Sequence, residues 1–259
     1  NLAAVNPNTD QRIQWPLSKG TPDIPFYVHE VPTIFISLQC PFHLADVPQV
    51  KTYINAYDNN MISKNEAEHL LLFNHFPNPL FVLETVGTFY LNNNRYGTII
   101  LISLILGSFI IGILFRNKNH STLVNYISKN NNCQSFGNVL SEAIKKSINS
   151  LLMISGTVTL FLVLSTLIIY VFNLNNFIAV LIQGILEMTM ASSFISSLNV
   201  NDIVKVVSAT SFIAFGGLSV HLQVISILDD KISYKNYFIG RIIHALISGL
   251  MSFVIMLLI

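Results

Sequence analysis

Two adjacent glycines inside a long apolar run constrain this chain more than anything else in it. The stretch Ala214-Phe215-Gly216-Gly217-Leu218-Ser219-Val220-His221-Leu222-Gln223-Val224 lies in a segment long enough to enter a bilayer. In lipid every backbone N–H and C=O needs a partner, so irregular backbone survives only where protein buries it or water lines it. Glycine alone would fit a packing role, since it is frequent in membrane helices. Here Ser219, His221 and Gln223 follow directly on the pair. Polar side chains clustered on a break predict a discontinuous helix, the device by which many secondary transporters build a solute site.

Composition supports a membrane setting. Hydrophobic residues make up 52% of the chain and charged residues 10%, far below the share of about a quarter usual in soluble domains. The average hides a split, because residues 1–60 carry scattered prolines and the apolar runs begin after Pro79. The net charge of +1 offers no basic patch for nucleic acid. Cys40 and Cys133 lie in unlike regions and give neither a disulfide nor a metal framework. Residues 61–259 contain no nucleotide-binding loop, metal-ligand cluster or nucleophile–base pair. No cofactor or metal is expected, and an ATP-driven pump is disfavoured. Residues 1–20 lack the basic stretch and apolar core of a signal peptide. The chain begins at Asn1 and ends at Ile259 inside an apolar run, so it reads as a fragment at both ends.

In residues 1–60, Pro32 to Leu38 reads as a buried strand and Val50 to Tyr57 as an alternating one. Asp10 to Trp15 reads as a short helix. These pieces are too few to close an α/β core. Ser63-Lys64-Asn65-Glu66 is a capping box that opens an amphipathic helix. Leu80 to Tyr90 is apolar except for Glu84 and too short to span, which predicts a re-entrant half-helix. Tyr96 to Phe115 spans. Val139 to Ile148 reads as an interfacial helix leading into a span, Ser147 to Phe172. A tight turn at 173–176 follows, and Phe177 to Asn199 re-enters the membrane. Val206 to Leu228 holds the Gly-Gly break, and Ile242 to Ile259 is a final span. Lys and Arg cluster in 116–147 and 229–241, which places both loops on the cytoplasmic side. The segment between them must then cross an even number of times. That predicts a hairpin over 203–228, bent at Gly216-Gly217.

Glu187 is the strongest single candidate for chemistry, because a carboxylate inside a span is costly unless paired or hydrated. Thr189 is close enough in sequence to share its site. Glu84 is a weaker candidate, near water at one end of a short segment. His221 could bind an anion or relay a proton; an interior histidine held by hydrogen bonds is the bland alternative. His244 has no polar company in the sequence and reads as packing. Asn74, Asn78 and Pro79 could form the tip of a re-entrant loop. Half-helices starting near Leu80 and Leu218 would aim positive N-terminal ends into the protein, and such ends attract carboxylates. A small anionic solute is the expected ligand, bound by Glu187, Thr189, Gly216, Gly217, Ser219, His221, Asn78 and Glu84.

Residues 61–259 resemble the YlbJ-type sporulation integral membrane proteins, a group carrying the nucleoside-recognition or gate domain. The resemblance rests on Ile62 to Glu68, Pro79 to Leu83, Gly184-Ile185-Leu186-Glu187-Met188-Thr189 and Phe215 to Val224, the last being the specific one. It covers roughly the C-terminal half of that family. It implies a fold akin to concentrative nucleoside transporters with paired re-entrant hairpins, a place in endospore formation, and transport of dipicolinate, an aromatic dicarboxylate. The chain departs from the family pattern at His75-Phe76-Pro77-Asn78 and at Met190-Ala191, which bears on the first hairpin tip and on contacts after Thr189. Residues 1 to about 59 resemble the C-terminal α/β domain of family 3 glycoside hydrolases, the β-N-acetylhexosaminidases. That resemblance rests on Val31 to Leu38 and Leu44 to Tyr57, and carries no catalytic residue.

The sequence therefore predicts a mainly α, polytopic membrane protein with re-entrant and broken helices. A truncated α/β fragment, 1–60, precedes a membrane gate-domain half, 61–259. The seam near Asn60-Met61 has no linker, which suggests two gene ends joined by accident. The expected role is that of a partial membrane transporter of the gate-domain class, moving a small anion such as dipicolinate in the cell membrane of a sporulating bacterium, with the lipid bilayer as partner and no enzyme activity. The alternatives are a non-transporting scaffold for spore-envelope assembly and the remnant of a glycoside hydrolase fusion.

Overall fold

Apolar runs punctuated by asparagine-rich turns fold into a succession of helices. The computed structural model describes residues 4–5, 12–13, 46–73, 76–115, 136–228 and 232–259. The α-helices are Asp46–Asp58 (α1), Lys64–Phe73 (α2), Asn94–Leu114 (α3), Phe136–Val171 (α4), Asn176–Leu186 (α5), Met188–Ser197 (α6), Asp202–Phe215 (α7), Gly217–Leu228 (α8) and Tyr234–Leu258 (α9). A π-helix, Phe81–Tyr90, lies between α2 and α3. Among the described residues, α3, Ser147–Val171 of α4, the α7–α8 stretch and α9 are long and apolar enough to cross a membrane. The chain is a mainly α, multi-pass membrane protein.

Local sequence explains where the helices start. Asn93, Asn175 and Asn201 each place a side-chain oxygen on a backbone N–H of the turn that follows, at 3.0, 2.9 and 3.0 Å. These are N-caps, and they satisfy donors that a helix leaves free. The capping box forms as expected: Glu66 N donates to Ser63 Oγ at 3.3 Å, and Ser63 N donates to Glu66 Oε2 at 2.7 Å. The tight turn after α4 is also present, with Asn173 at φ 46°, a conformation asparagine tolerates.

Other expectations are corrected. Val50 to Tyr57 is not a strand but the body of α1. An eight-residue run fits both periods, and packing decides between them. Val50, Tyr53 and Ile54 stand at helical spacing, and all three enter one core with Leu70, Leu71, Val220 and Val224. Arg12–Ile13 is not helical; it pairs antiparallel with Ala4–Val5. The strand read at 32–38 lies outside the described residues, as do Asn74, His75, Cys40 and Cys133. The helix read as leading into the second span does so without interruption, because α4 is continuous over 36 residues. At 1.5 Å per residue it is about 54 Å long, so the turns around Glu142 and Lys145 extend past a hydrocarbon layer of about 30 Å. The last span begins at Tyr234, eight residues before Ile242.

α9 is the central helix, packed against α7, α3 and α2. Small residues allow the approach. Gly249 of α9 faces the Ser211 side chain of α7, and a Cβ on Gly240 would lie 2.7 Å from the Leu72 carbonyl of α2. The π-helix crosses α3 backbone to backbone, where a Cβ on Gly87 would lie 2.6 Å from Gly97 Cα. One apolar core joins α1, α2, α8 and the start of α9. A second joins the π-helix, α3, α5, α6, α7 and α9. The first core runs across the Asn60-Met61 seam, because α1 lies before it and α2 after it.

Candidate functional site

The glycine pair breaks its helix as the sequence indicates. Gly216 closes α7 in the left-handed region at φ 90°, and Gly217 opens α8 at φ 70°. Both values are strained for any residue with a Cβ. The two arms do not lie along each other as the arms of a hairpin would. Instead α7 packs on α9, α6 and α3, while α8 packs on α1, α4 and α5.

A second break was not visible in the sequence. The stretch 177–199 is not one helix: α5 ends at Leu186, Glu187 is extended at φ −147° and ψ 114°, and α6 starts at Met188. Neither glycine nor proline marks the spot. The carboxylate does the work, because Glu187 Oε2 accepts from Met190 N at 2.9 Å and from Thr189 Oγ1 at 2.5 Å. Glu187 is thus an N-cap, placed where a negative charge meets the positive end of α6. It is 1% exposed.

The two breaks touch. A Cβ on Gly217 would lie 3.1 Å from Met188 N, 3.2 Å from Leu186 O and 3.3 Å from Glu187 Cα. Glycine is favoured there by its φ, and a Cβ would press on backbone that must give by a few tenths of an ångström. The N-terminal ends of α6 and α8 therefore open at one crossing, with Ser219 on the first turn of α8. Ser219 is fully buried, and its hydroxyl has no hydrogen-bond partner.

Behind the crossing runs a buried polar chain. His221 Nε2 lies 3.2 Å from Phe215 O, and its Nδ1 lies 2.8 Å from Tyr234 Oη. Arg241 donates from Nε to Phe215 O and from the guanidinium end to Ile213 O, both at 3.3 Å. These are carbonyls that α7 leaves open at its C-terminal end, where a cation is favoured. Arg241 Nη1 also lies 3.2 Å from His244 Nδ1, and His244 Nε2 lies 3.0 Å from Ser108 Oγ and 3.0 Å from Leu104 O. Further along α8, Gln223 Nε2 donates to Thr157 Oγ1 of α4 at 2.5 Å.

Of the candidate residues, the fold brings Glu187, Thr189, Gly216, Gly217, Ser219 and His221 to this crossing or directly behind it. Asn78 and Glu84 belong elsewhere. Asn78 Oδ1 accepts from Leu80 N at 2.9 Å at the start of the π-helix, and Glu84 is exposed on that helix. Among the described residues neither is hydrogen-bonded to the crossing. Two residues differ from the sequence expectation. Arg241 falls in a basic loop by charge count, yet it lies inside α9 and is 2% exposed. His244 reads as apolar packing, yet it bonds to three groups. The spacing Arg241-x-x-His244 on one helix face is the signal that could have found the pair.

Away from the crossing, Asn65, Glu68, His69, Leu72, Leu114, Phe115 and Asn236 line an open cleft of about 430 Å³ where α2, α3 and α9 meet. Burial pulls the His69 imidazole below its ordinary value, partly offset by the Phe115 carbonyl.

Fold and site together define a multi-pass membrane protein built around two discontinuous helices that meet at their breaks. The chain is similar to the sporulation integral membrane protein YlbJ of Bacillus subtilis (strain 168): 25% identical over 223 residues, covering 71% of this chain and 54% of that protein. It also shares a short stretch, 44% identical over 62 residues, with a beta-N-acetylglucosaminidase/beta-glucosidase of Cellulomonas fimi. That stretch covers 24% of this chain and 11% of that enzyme. The chain thus spans about half the length of the sporulation protein and about a tenth of the glucosidase. No family model matches it, and no solved structure matches it.

Proposed function

We propose that this chain is part of a membrane transporter of the gate-domain class that moves a small anionic solute during spore formation, with dipicolinate as the solute. It is read as a non-enzyme. The observation that carries this reading is the contact of Gly217 with the Leu186–Met188 break. The α6 end is closed by the Glu187 carboxylate, which leaves the N-terminus of α8, opening beside it at a buried point, as the positive locus for an anion. The buried, unpartnered Ser219 hydroxyl supplies a donor beside it. Similarity to a sporulation membrane protein supports the cellular setting. Residues 1–60 are proposed to be a remnant of a glycoside hydrolase C-terminal domain without hydrolase activity, in keeping with the short glucosidase match.

The test is counterflow. Vesicles holding the purified chain and loaded with unlabelled dipicolinate should accumulate labelled dipicolinate, and Gly217→Leu should abolish it while insertion stays normal. Equal accumulation in protein-free vesicles would remove the solute reading and leave a scaffold role in its place.

A further inference from the structure

The two buried histidines beside Arg241 are held differently. His244 is locked. Its Nδ1 lies 3.2 Å from Arg241 Nη1, and a guanidinium only donates. Its Nε2 lies 3.0 Å from the Leu104 carbonyl, which only accepts. His244 is therefore the neutral imidazole with its hydrogen on Nε2. A second proton, on Nδ1, would have to displace the guanidinium and sit beside its charge.

His221 shares only half of that arrangement. Its Nε2 donates to Phe215 O at 3.2 Å. Its Nδ1 faces the Tyr234 hydroxyl at 2.8 Å, and a hydroxyl both donates and accepts. Turning that one hydroxyl lets Nδ1 carry a proton with both hydrogen bonds kept. His221 itself is 1% exposed, whereas Tyr234 is half-buried and is the first residue of α9. Tyr234 is thus a link between the aqueous end of α9 and the break. Tyr237, Phe215 and Phe238 also pack their rings on His221. Arg241 shares the Phe215 carbonyl with it. The charged residues on elements packed against α8 are Asp46, Lys51 and Asp58 of α1, Glu142, Lys145 and Lys146 of α4, Glu187 after α5, and Lys235 and Arg241 of α9.

We propose that His221 is the site of a coupling proton, delivered through Tyr234. Tyr234 passes its hydroxyl proton to Nδ1 and takes one from a hydronium ion of the adjoining aqueous phase, which is left as water, so the phenol ends neutral and the imidazole ends as imidazolium. Only N–H and O–H bonds are exchanged. The added charge lies directly behind the Gly216–Gly217 break, where it favours an anion at the crossing. By linkage the anion favours the proton equally. The identity of the co-moving solute rests on the transport reading above; the proton site does not.

The full chain in lipid vesicles, with ¹⁵N-labelled histidine rings, is titrated by solid-state NMR between about pH 5 and 8. His221 should take up one proton reversibly, and His244 should keep a bare Nδ1 throughout. Tyr234→Phe should move the His221 titration and leave His244 unchanged. Dipicolinate uptake should alkalinise the outside medium, and His221→Gln should remove the pH dependence of whatever flux remains. A His221 that stays neutral, or a His244 that titrates, overturns the proton site. So does pH-dependent flux that survives in His221→Gln. A titrating His221 in a chain that moves no dipicolinate supports the proton site and overturns the solute.

Discussion

The two helix breaks touch, yet they are made in opposite ways. At Glu187 the chain turns without a glycine, and the carboxylate closes the new N-terminus from three residues away. At Gly216–Gly217 the backbone takes positive φ values that only glycine holds easily, and the open carbonyls are closed from another helix by Arg241. One break is self-contained and the other depends on the tertiary fold. A local cap forms as soon as its turn forms, whereas Arg241 reaches Phe215 only after α9 has packed on α7. The glycine break is therefore the one that mutations in distant residues should disturb.

Arg241→Met should produce the largest effect. It removes the donors to Phe215 O and Ile213 O and the group facing His244 Nδ1. Phe215 O keeps its bond from His221, but Ile213 O and His244 Nδ1 lose theirs; at about 1–3 kcal/mol for each buried group so deprived, a loss of about 2–6 kcal/mol is expected in detergent unfolding. A loss near zero would show that the glycine break needs no help from α9. Gly217→Ala comes next. Left-handed backbone with a Cβ costs about 1–2 kcal/mol, and Leu186 and Met188 must also give way around the added atom. Gly216→Ala should cost less than Gly217→Ala, because the nearest atom to its Cβ lies at 3.6 Å. The reverse order would place the contact at the wrong glycine.

Glu187→Ala should cost about 1 kcal/mol, the usual value of a lost N-cap. Glu187→Gln should cost less, since the amide oxygen can still accept from Met190. If both changes cost the same, the charge and not the cap holds that break. Ser219→Ala should be the mildest, within about 0.5 kcal/mol of neutral or slightly stabilising, because it removes a buried hydroxyl without a partner. Its effect should instead be on dipicolinate affinity, read by the concentration dependence of counterflow.

The same contrast explains what could be read from the sequence. Long uncharged runs, the capping box and the Gly-Gly break are local signals, and they place the apolar helices in order and one of the two breaks at its residue. The Glu187 break escaped because its only mark is a carboxylate and a threonine two residues apart, a pattern equally at home in a straight helix. Arg241 escaped because a charge count assigns any arginine at the edge of an apolar run to a loop. His244 escaped because two of its three partners come from α3, with Ser108 136 positions away in sequence, and its third, Arg241, falls by charge count in the loop before the span. α1 escaped because its eight alternating residues fit two periods, and the choice is made by a core it shares with α2 and α8. Each missed feature is decided by a long-range partner or by a pattern that two structures share.

The central claim is that the two breaks meet at one point. It is tested most directly by a solid-state NMR dipolar coupling between ¹³Cα of Gly217 and ¹⁵N of Met188 in the full chain in lipid. The Gly87–Gly97 approach in the same sample serves as the reference. The account requires a detectable Gly217–Met188 coupling. A clear Gly87–Gly97 coupling with none between Gly217 and Met188 would contradict it.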